Sequence, residues 1–421
     1  MANMEQQSRT ARARILSCVL AAALAFSLAL APGAALADVR KADVVLGQTV
    51  DARGLSIAQC PSIDAEYALV MDSEGTVYFE RNATSPTQIA SITKVMTLLL
   101  IMEAIDSGKI SWQDTVTASE AAAAKGGSQV YLKVGETMSV EEMVKSITVS
   151  SANDCACAMA EYIAGSEAGF VEKMNAKAKE LGMEDTNFVN CTGLDDEPSA
   201  AEHLTSAYDI ALMSRELLLH HPDIKKFTTI WMDTVRNGSF GLANTNKLVR
   251  FYEGTTGLKT GYTSAAGHCL SASALRDGLE LVAVVLHCPS STDRFQSAKA
   301  LLDYGFANYA LVPVQEGETL SPVPVVLGQS ETVQPVASGE EQLLIDKGLR
   351  QSVTRTVELL PSVQAPVSQG QRLGTLTIQA DGQVLGEIPL VAEKAVPRLT
   401  WKDLFQNLLR RVCMAADAAS E

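Results

Sequence analysis

Polar and apolar positions first fall into a regular pattern at residues 65–82, A-E-Y-A-L-V-M-D-S-E-G-T-V-Y-F-E-R-N. β-Formers flank Asp72-Ser73-Glu74-Gly75, which predicts strand, turn and strand. From Ser91 to Asp106 the pattern changes. V-M-T-L-L-L-I-M-E-A-I is apolar on every side, which predicts a helix buried all round and stopped near Gly108. Helical stretches dominate 118–220, among them A-E-Y-I-A and F-V-E-K-M-N-A-K-A-K-E-L-G. Strand character returns at 255–290. G-H-C-L-S-A-S-A-L and L-E-L-V-A-V-V-L-H read as neighbouring strands joined at Arg276-Asp277-Gly278. A further helix follows in D-R-F-Q-S-A-K-A-L-L-D-Y-G-F. Strand, helices, then strands describe a sheet closed by both ends of one domain, hence an α+β fold rather than a βαβ alternation.

Composition shifts near residue 313 towards Val, Thr, Gln, Gly and Pro. Leu376 and Ile378 alternate with Thr375 and Thr377, and Asp381-Gly382 is a strong hairpin turn. Residues 314–395 are therefore expected to form a small all-β domain after an α+β domain at 61–313. Beyond Pro397, Trp401, Leu404, Phe405, Leu408, Leu409 and Val412 fall on one helical face, with Lys402, Arg410 and Arg411 outside it. The tail, 396–421, fits either an in-plane membrane anchor or a helix docked on its own domain.

The N-terminus carries Arg9, Arg12 and Arg14, a short apolar run, and Ala35-Leu36-Ala37. This is the layout of a secretory signal peptide over 1–37, with an uncleaved anchor as the alternative. Residues 38–60 read as an extended leader. The chain has a net charge of −15, and its first 37 residues contribute +2, leaving −17 for the rest. So acidic an exported chain is not expected to bind nucleic acid. Cys18 lies in the signal. The seven cysteines beyond it are too widely spaced for a disulfide framework, and most read as small buried hydrophobes, with one or two disulfides left open. Cys155 and Cys157 belong on different faces of a helix. No Cys/His spacing suggests a metal site, and no cofactor is implied.

Three short patterns carry chemistry. Ser91 and Lys94 are three apart at the head of the buried helix, so the lysine can reach the hydroxyl. A lysine serves as base to a serine only with a depressed pKa, which burial, a second cation and a helix N-terminus all favour. Alone, S-x-x-K is more often a capping serine and a solvated lysine. Ser151 and Asn153, in V-S-S-A-N-D, can relay a proton and bind an amide, or simply make a turn. Lys259, Thr260 and Gly261 lead into a strand, where a fixed cation can hold a carboxylate and Gly261 lets a ligand approach the backbone, or the lysine merely guards a sheet edge.

Each pattern occurs once, in the order S-x-x-K, S-x-N, K-T-G, spaced by 60 and 108 residues. With A-S-I-T-K-V-M-T, S-S-A-N-D, G-L-K-T-G-Y-T-S-A-A-G and D-R-F-Q-S-A-K-A-L-L-D-Y-G-F, the chain resembles the serine-type D-alanyl-D-alanine carboxypeptidases, the low-molecular-mass penicillin-binding proteins related to serine β-lactamases. The resemblance implies an antiparallel sheet flanked by helices, a β-rich second domain and an amphipathic membrane-binding tail. It implies peptidoglycan stem peptides ending in D-Ala-D-Ala as substrate, β-lactams as covalent inhibitors, and a place on the outer face of the cytoplasmic membrane. It implies Ser91 as nucleophile, Lys94 as base, Ser151 and Asn153 as proton relay and amide ligand, and Lys259 and Thr260 as carboxylate ligands. The N–H groups of Ser91 and Tyr262 would form the oxyanion hole, and Arg294 would assist carboxylate recognition. Thr245 stands where some relatives carry an arginine. His203 is expected to shape a loop, and no histidine has a neighbouring nucleophile motif of the Ser-His-Asp kind. The competing readings are a D,D-endopeptidase, a class A β-lactamase, for which E-D-T-N-F at 184–188 is a poor match to the deacylating loop, and an inactive wall-binding protein.

Overall fold

The computed structural model describes residues 48–316, 320–406 and 408–409. The predicted signal peptide over 1–37 and the first part of the leader lie outside them, as do Arg410, Arg411, Val412 and Cys413. The centre of the molecule is an antiparallel five-stranded sheet. Its strands are β1 (Tyr67–Asp72), β2 (Val77–Arg81), β3 (Thr255–Thr263), β4 (Gly267–Arg276) and β5 (Leu279–Cys288), in the order β2-β1-β5-β4-β3. Both ends of the domain thus meet in one sheet, with β1 pairing β5.

Local chemistry explains the two hairpins. At the first, the Asp72 carboxylate accepts the N–H groups of Glu74 and Thr76 at 2.9 and 2.8 Å and the Tyr78 hydroxyl at 2.9 Å, so one buried side chain closes the turn. At β4–β5 the turn is Asp277-Gly278 with φ of 50° and 83°, both left-handed, as a two-residue hairpin of this twist requires.

The sheet is buried on both faces. Leu69 and Met71 enter one core while Ala68 and Val70 enter the other. On β5, Val282, Val284 and Leu286 face the first core and Leu281, Ala283 and Val285 the second. That is why β5 is a continuous apolar run. The first core holds the helices α1 (Lys94–Asp106), α2 (Val140–Ser150), α3 (Asn153–Ala164), α4 (Glu167–Glu180) and α5 (Ala207–His220). The second face is covered by α6 (Ser291–Asn308), whose start is capped by Ser290. Ten of the thirteen residues of α1 are buried, so the uniform apolar stretch is an internal helix. Pattern alone missed a short hairpin, Met232–Val235 with Phe240–Ala243, because its strands are mostly exposed and its turn, Arg236 to Ser239, interrupts no apolar run.

After α6 the chain enters Tyr309–Pro313, which pairs with Gln342–Asp346, and continues into antiparallel strands including Thr354–Leu359, Arg372–Ala380 and Gln383–Ala392. The Asp381-Gly382 turn has φ of 49° and 80°. Leu376, Ile378 and Leu390 build the small core there. A helical turn then starts at Trp401. Thr400 and Asp403 cap it reciprocally, the Thr400 N–H donating to Asp403 at 2.8 Å and the Asp403 N–H to Thr400 at 3.4 Å. Trp401, Phe405 and Leu408 are 73%, 55% and 61% exposed, so the described part of this stripe faces solvent. No described helix is long and apolar enough to cross a membrane.

Candidate active site

The nucleophile candidate sits at a strained entry to a buried helix. Ala90 has φ of 49°, uncommon for a residue with a side chain, and Ala90–Thr93 form a 3-10 turn. The α-helix begins at Lys94, which corrects the single helix expected from Ser91. The left-handed Ala90 cannot continue into a regular α-helix, so the chain enters abruptly. The three-residue spacing still brings Lys94 Nζ to 2.9 Å from Ser91 Oγ.

Lys94 is fully buried, and its Nζ also donates to the Thr192 carbonyl at 2.8 Å. Burial lowers its pKa to about 7, against smaller opposing pulls from Cys191 and Asp154. Lys259, on β3, is also buried, and donates to the Thr260 carbonyl at 2.9 Å. Burial, then the charges of Lys94 and Arg294, hold its pKa well below the usual lysine value. Burial thus pushes both neighbouring lysines towards the neutral form.

The strained turn is braced from behind. Val189 N–H donates to His203 Nδ1 at 3.1 Å, which leaves the proton on Nε2, 2.7 Å from Thr93 Oγ1. Thr93 Oγ1 in turn donates to the Ala90 carbonyl at 2.8 Å. Burial, then the Lys94 charge, lowers the His203 pKa to about 4, so the ring is neutral and acts as a strut. Gly193 lies against the same carbonyl. A Cβ there would be 1.8 Å from the Ala90 oxygen, and Gly193 has φ of +79°. Asn190 Oδ1 accepts the N–H groups of Thr192 and Gly193 at 3.1 and 2.7 Å, closing the turn that delivers the Thr192 carbonyl to Lys94. Residues 190–194 escaped the sequence reading; His203 shapes a loop as expected, but its partner Thr93 was not foreseen. Asn190-Cys191-Thr192-Gly193 has turn composition, the one signal available there.

The third motif packs on this turn, and the second lies where α2 meets α3, both of which contact α1. Ser151 caps the end of α2 in the left-handed region, φ of 64°, and is buried. Asn153 starts α3. Its Nδ2 donates to the Gly126 carbonyl at 2.8 Å, while Oδ1 is buried with no partner among the described residues. Asp154 accepts the N–H groups of Val130, Leu132 and Cys155 at 3.1, 3.0 and 2.9 Å, pinning the neighbouring loop. Strand β3 packs on the 3-10 turn, and a Cβ on Gly261 would be 2.5 Å from the Ile89 carbonyl. The backbone that approaches Gly261 is thus the chain's own. Thr260 Oγ1 donates to Thr245 Oγ1 at 2.7 Å. Tyr262 is exposed and stacks on His268 at 4.3 Å. Arg294, near the start of α6, donates to the carbonyls of Gly261 and Cys269 at 3.1 and 3.5 Å. It holds the K-T-G strand from behind.

A serine within reach of a buried, depressed lysine, with a second buried lysine on the adjoining edge strand, defines a serine acyl-transfer enzyme of the penicillin-binding fold. A D-alanyl-D-alanine carboxypeptidase family model matches residues 55–290, and one for the C-terminal domain of penicillin-binding protein 5 matches 312–398. The chain belongs to the D-alanyl-D-alanine carboxypeptidase family. It is 41% identical over 337 residues to D-alanyl-D-alanine carboxypeptidase DacF of Bacillus subtilis, covering 79% of this chain and 85% of that protein. The crystal structure of penicillin-binding protein 5 from Haemophilus influenzae superposes with a TM-score of 0.67 at 30% identity, over 81% of this chain and all of that one. Penicillin-binding protein D2 of Listeria monocytogenes, solved with ampicillin bound, superposes at 0.54 and 31% identity, over 58% of this chain and all of that one.

The contact at Gly193 gives a test away from the motifs. In Gly193→Ala the new methyl must push the Ala90 carbonyl aside and displace Ser91. Acylation by a fluorescent penicillin, followed in a stopped-flow, is expected to slow by about 100-fold. An unchanged rate in a folded variant would contradict the brace.

Proposed function

We propose that this protein removes the terminal D-alanine from peptidoglycan stem peptides ending in D-Ala-D-Ala, through an acyl-enzyme on Ser91. The observation that carries this reading is Lys94, buried, 2.9 Å from Ser91 Oγ, with a pKa near 7. Neutral Lys94 takes the Ser91 proton as Oγ attacks the carbonyl between the two alanines. The N–H groups of Ser91 and Tyr262 receive the oxyanion. Ser151 passes a proton to the departing amine, and water then releases the acyl group. Asn153 Oδ1, which lacks a partner inside the protein, accepts an N–H of the stem peptide. Lys259 and Thr260 take the terminal carboxylate, whose charge restores the proton that burial disfavours on Lys259. Thr245, bonded to Thr260, extends this end of the site. Arg294 assists through the strand it holds. A β-lactam acylates the same serine in place of the peptide. The β-rich region after residue 313 favours the carboxypeptidase reading over the endopeptidase one.

The same proposal places the working chain outside the cytoplasm, exported by residues 1–37 and held on the outer face of the cytoplasmic membrane by its tail. The solvent-facing Trp401, Leu404, Phe405, Leu408 and Leu409 support this.

Fluorescent penicillin should label the wild type and fail to label Ser91→Ala. An unlabelled wild type would remove Ser91 as nucleophile. The labelling rate should climb with pH through about 7 as Lys94 loses its proton, and then level off; a rate still climbing tenfold per pH unit at pH 9 would contradict Lys94 as base. For the tail, the full chain should float with anionic liposomes, and a Leu404→Glu, Leu408→Glu double variant should stay behind. Equal flotation of both would contradict the anchor.

A further inference from the structure

Behind Lys94 lie two thiols that the mechanism does not use. Cys157, on α3, and Cys191, in the turn that delivers Thr192, are both fully buried. Their sulfurs meet one carboxylate, Cys191 Sγ at 3.2 Å from Glu167 Oε1 and Cys157 Sγ at 3.8 Å from Oε2. The neighbouring Cys157 thiol, then burial, raises the Cys191 pKa well above the usual thiol value. Lys125 Nζ, 2.6 Å from Glu167 Oε2, fixes that carboxylate in place.

The other described cysteines are not so placed. Cys155 lies two residues before Cys157 on α3, on a different face of the helix. Cys269 and Cys288 are on neighbouring strands but belong to opposite core faces. Cys60 is exposed.

We propose that Cys157 and Cys191 are a disulfide-forming pair, which in an oxidising medium links α3 covalently to the turn that holds Lys94. Two S–H bonds break and one S–S bond forms. Two protons and two electrons pass to a small-molecule or protein disulfide, which leaves as two thiols. Fully buried thiols exchange slowly, so the bond closes as the chain folds or opens locally. It spans 34 residues, long enough to restrict the unfolded chain substantially.

The bond also touches the site. The Cys191 carbonyl accepts the Thr97 hydroxyl at 2.7 Å, and the next carbonyl, of Thr192, accepts from Lys94. Drawing the two sulfurs from their places on the Glu167 carboxylate to bonding distance shifts this turn against α1. The effect on activity rests on the role given to Lys94 above, whereas the bond itself does not.

The test uses the full chain, held in glutathione and glutathione disulfide with urea just below its unfolding midpoint, then trapped with iodoacetamide and mapped without reduction. The expected product is a Cys157–Cys191 cross-linked peptide, with two fewer alkylated thiols than in dithiothreitol and an upward shift in melting temperature. Cys157→Ser and Cys191→Ser should each abolish the shift. Both cysteines fully alkylated in the redox buffer, or cross-links scattered over other cysteines, would overturn the proposal. The oxidised form is expected to acylate with fluorescent penicillin roughly 10-fold more slowly than the reduced form. A cross-link with equal rates would overturn the coupling to Lys94. A reduced protein that never labels would count against Ser91, not against the bond.

Discussion

The structure depends on one uncomfortable burial. An ammonium group inside an apolar helix bundle is costly unless a carboxylate pairs with it or it gives up its proton. Among the described residues no carboxylate lies within ion-pair distance of Lys94. Its Nζ is satisfied by a hydroxyl and a backbone carbonyl, both compatible with a neutral amine. The helix that buries it is apolar on all sides and packed against α5 and α3. The same packing that stabilises the domain therefore keeps this lysine basic enough to take a proton at neutral pH, yet short of its own.

The strain at Ala90 follows from the same need. A serine presented by a regular helix would share its hydroxyl with the preceding turn. A left-handed residue followed by a 3-10 turn sets Ser91 apart from the helix. It persists because the His203–Thr93 strut, the close approach of Gly193 and the packing of β3 all hold the Ala90 region. Arg294 fixes β3 from the far side through the Gly261 carbonyl. The two halves of the fold, helices before and strands after, thus meet at one backbone kink.

Much of this was legible from the chain. The central helix, the Asp72–Gly75, Asp277-Gly278 and Asp381-Gly382 turns, and the sheet closed by both ends all follow from short-range pattern. The three motifs were legible because their residue types and order are chemically constrained together. What escaped depends on contacts distant in sequence or on backbone conformation that composition does not mark. Ala90 in the left-handed region has no glycine or asparagine to announce it. His203 finds Thr93 across 110 residues. The carbonyl of Thr192 contributes through its backbone, so its side chain carries no signal. Arg294 matched a carboxylate-assisting arginine by motif, but its Nη1 bonds to the main-chain carbonyls of Gly261 and Cys269 carry no mark in the sequence.

The account stands on the proton of Lys94. The direct measurement is a 13C NMR titration of lysine Cε signals in the substrate-free protein, with the Lys94 resonance assigned by its loss in Lys94→Arg. The account predicts a midpoint near 7 for that one signal. A Lys94 signal titrating at the ordinary lysine value of about 10.4 would contradict it.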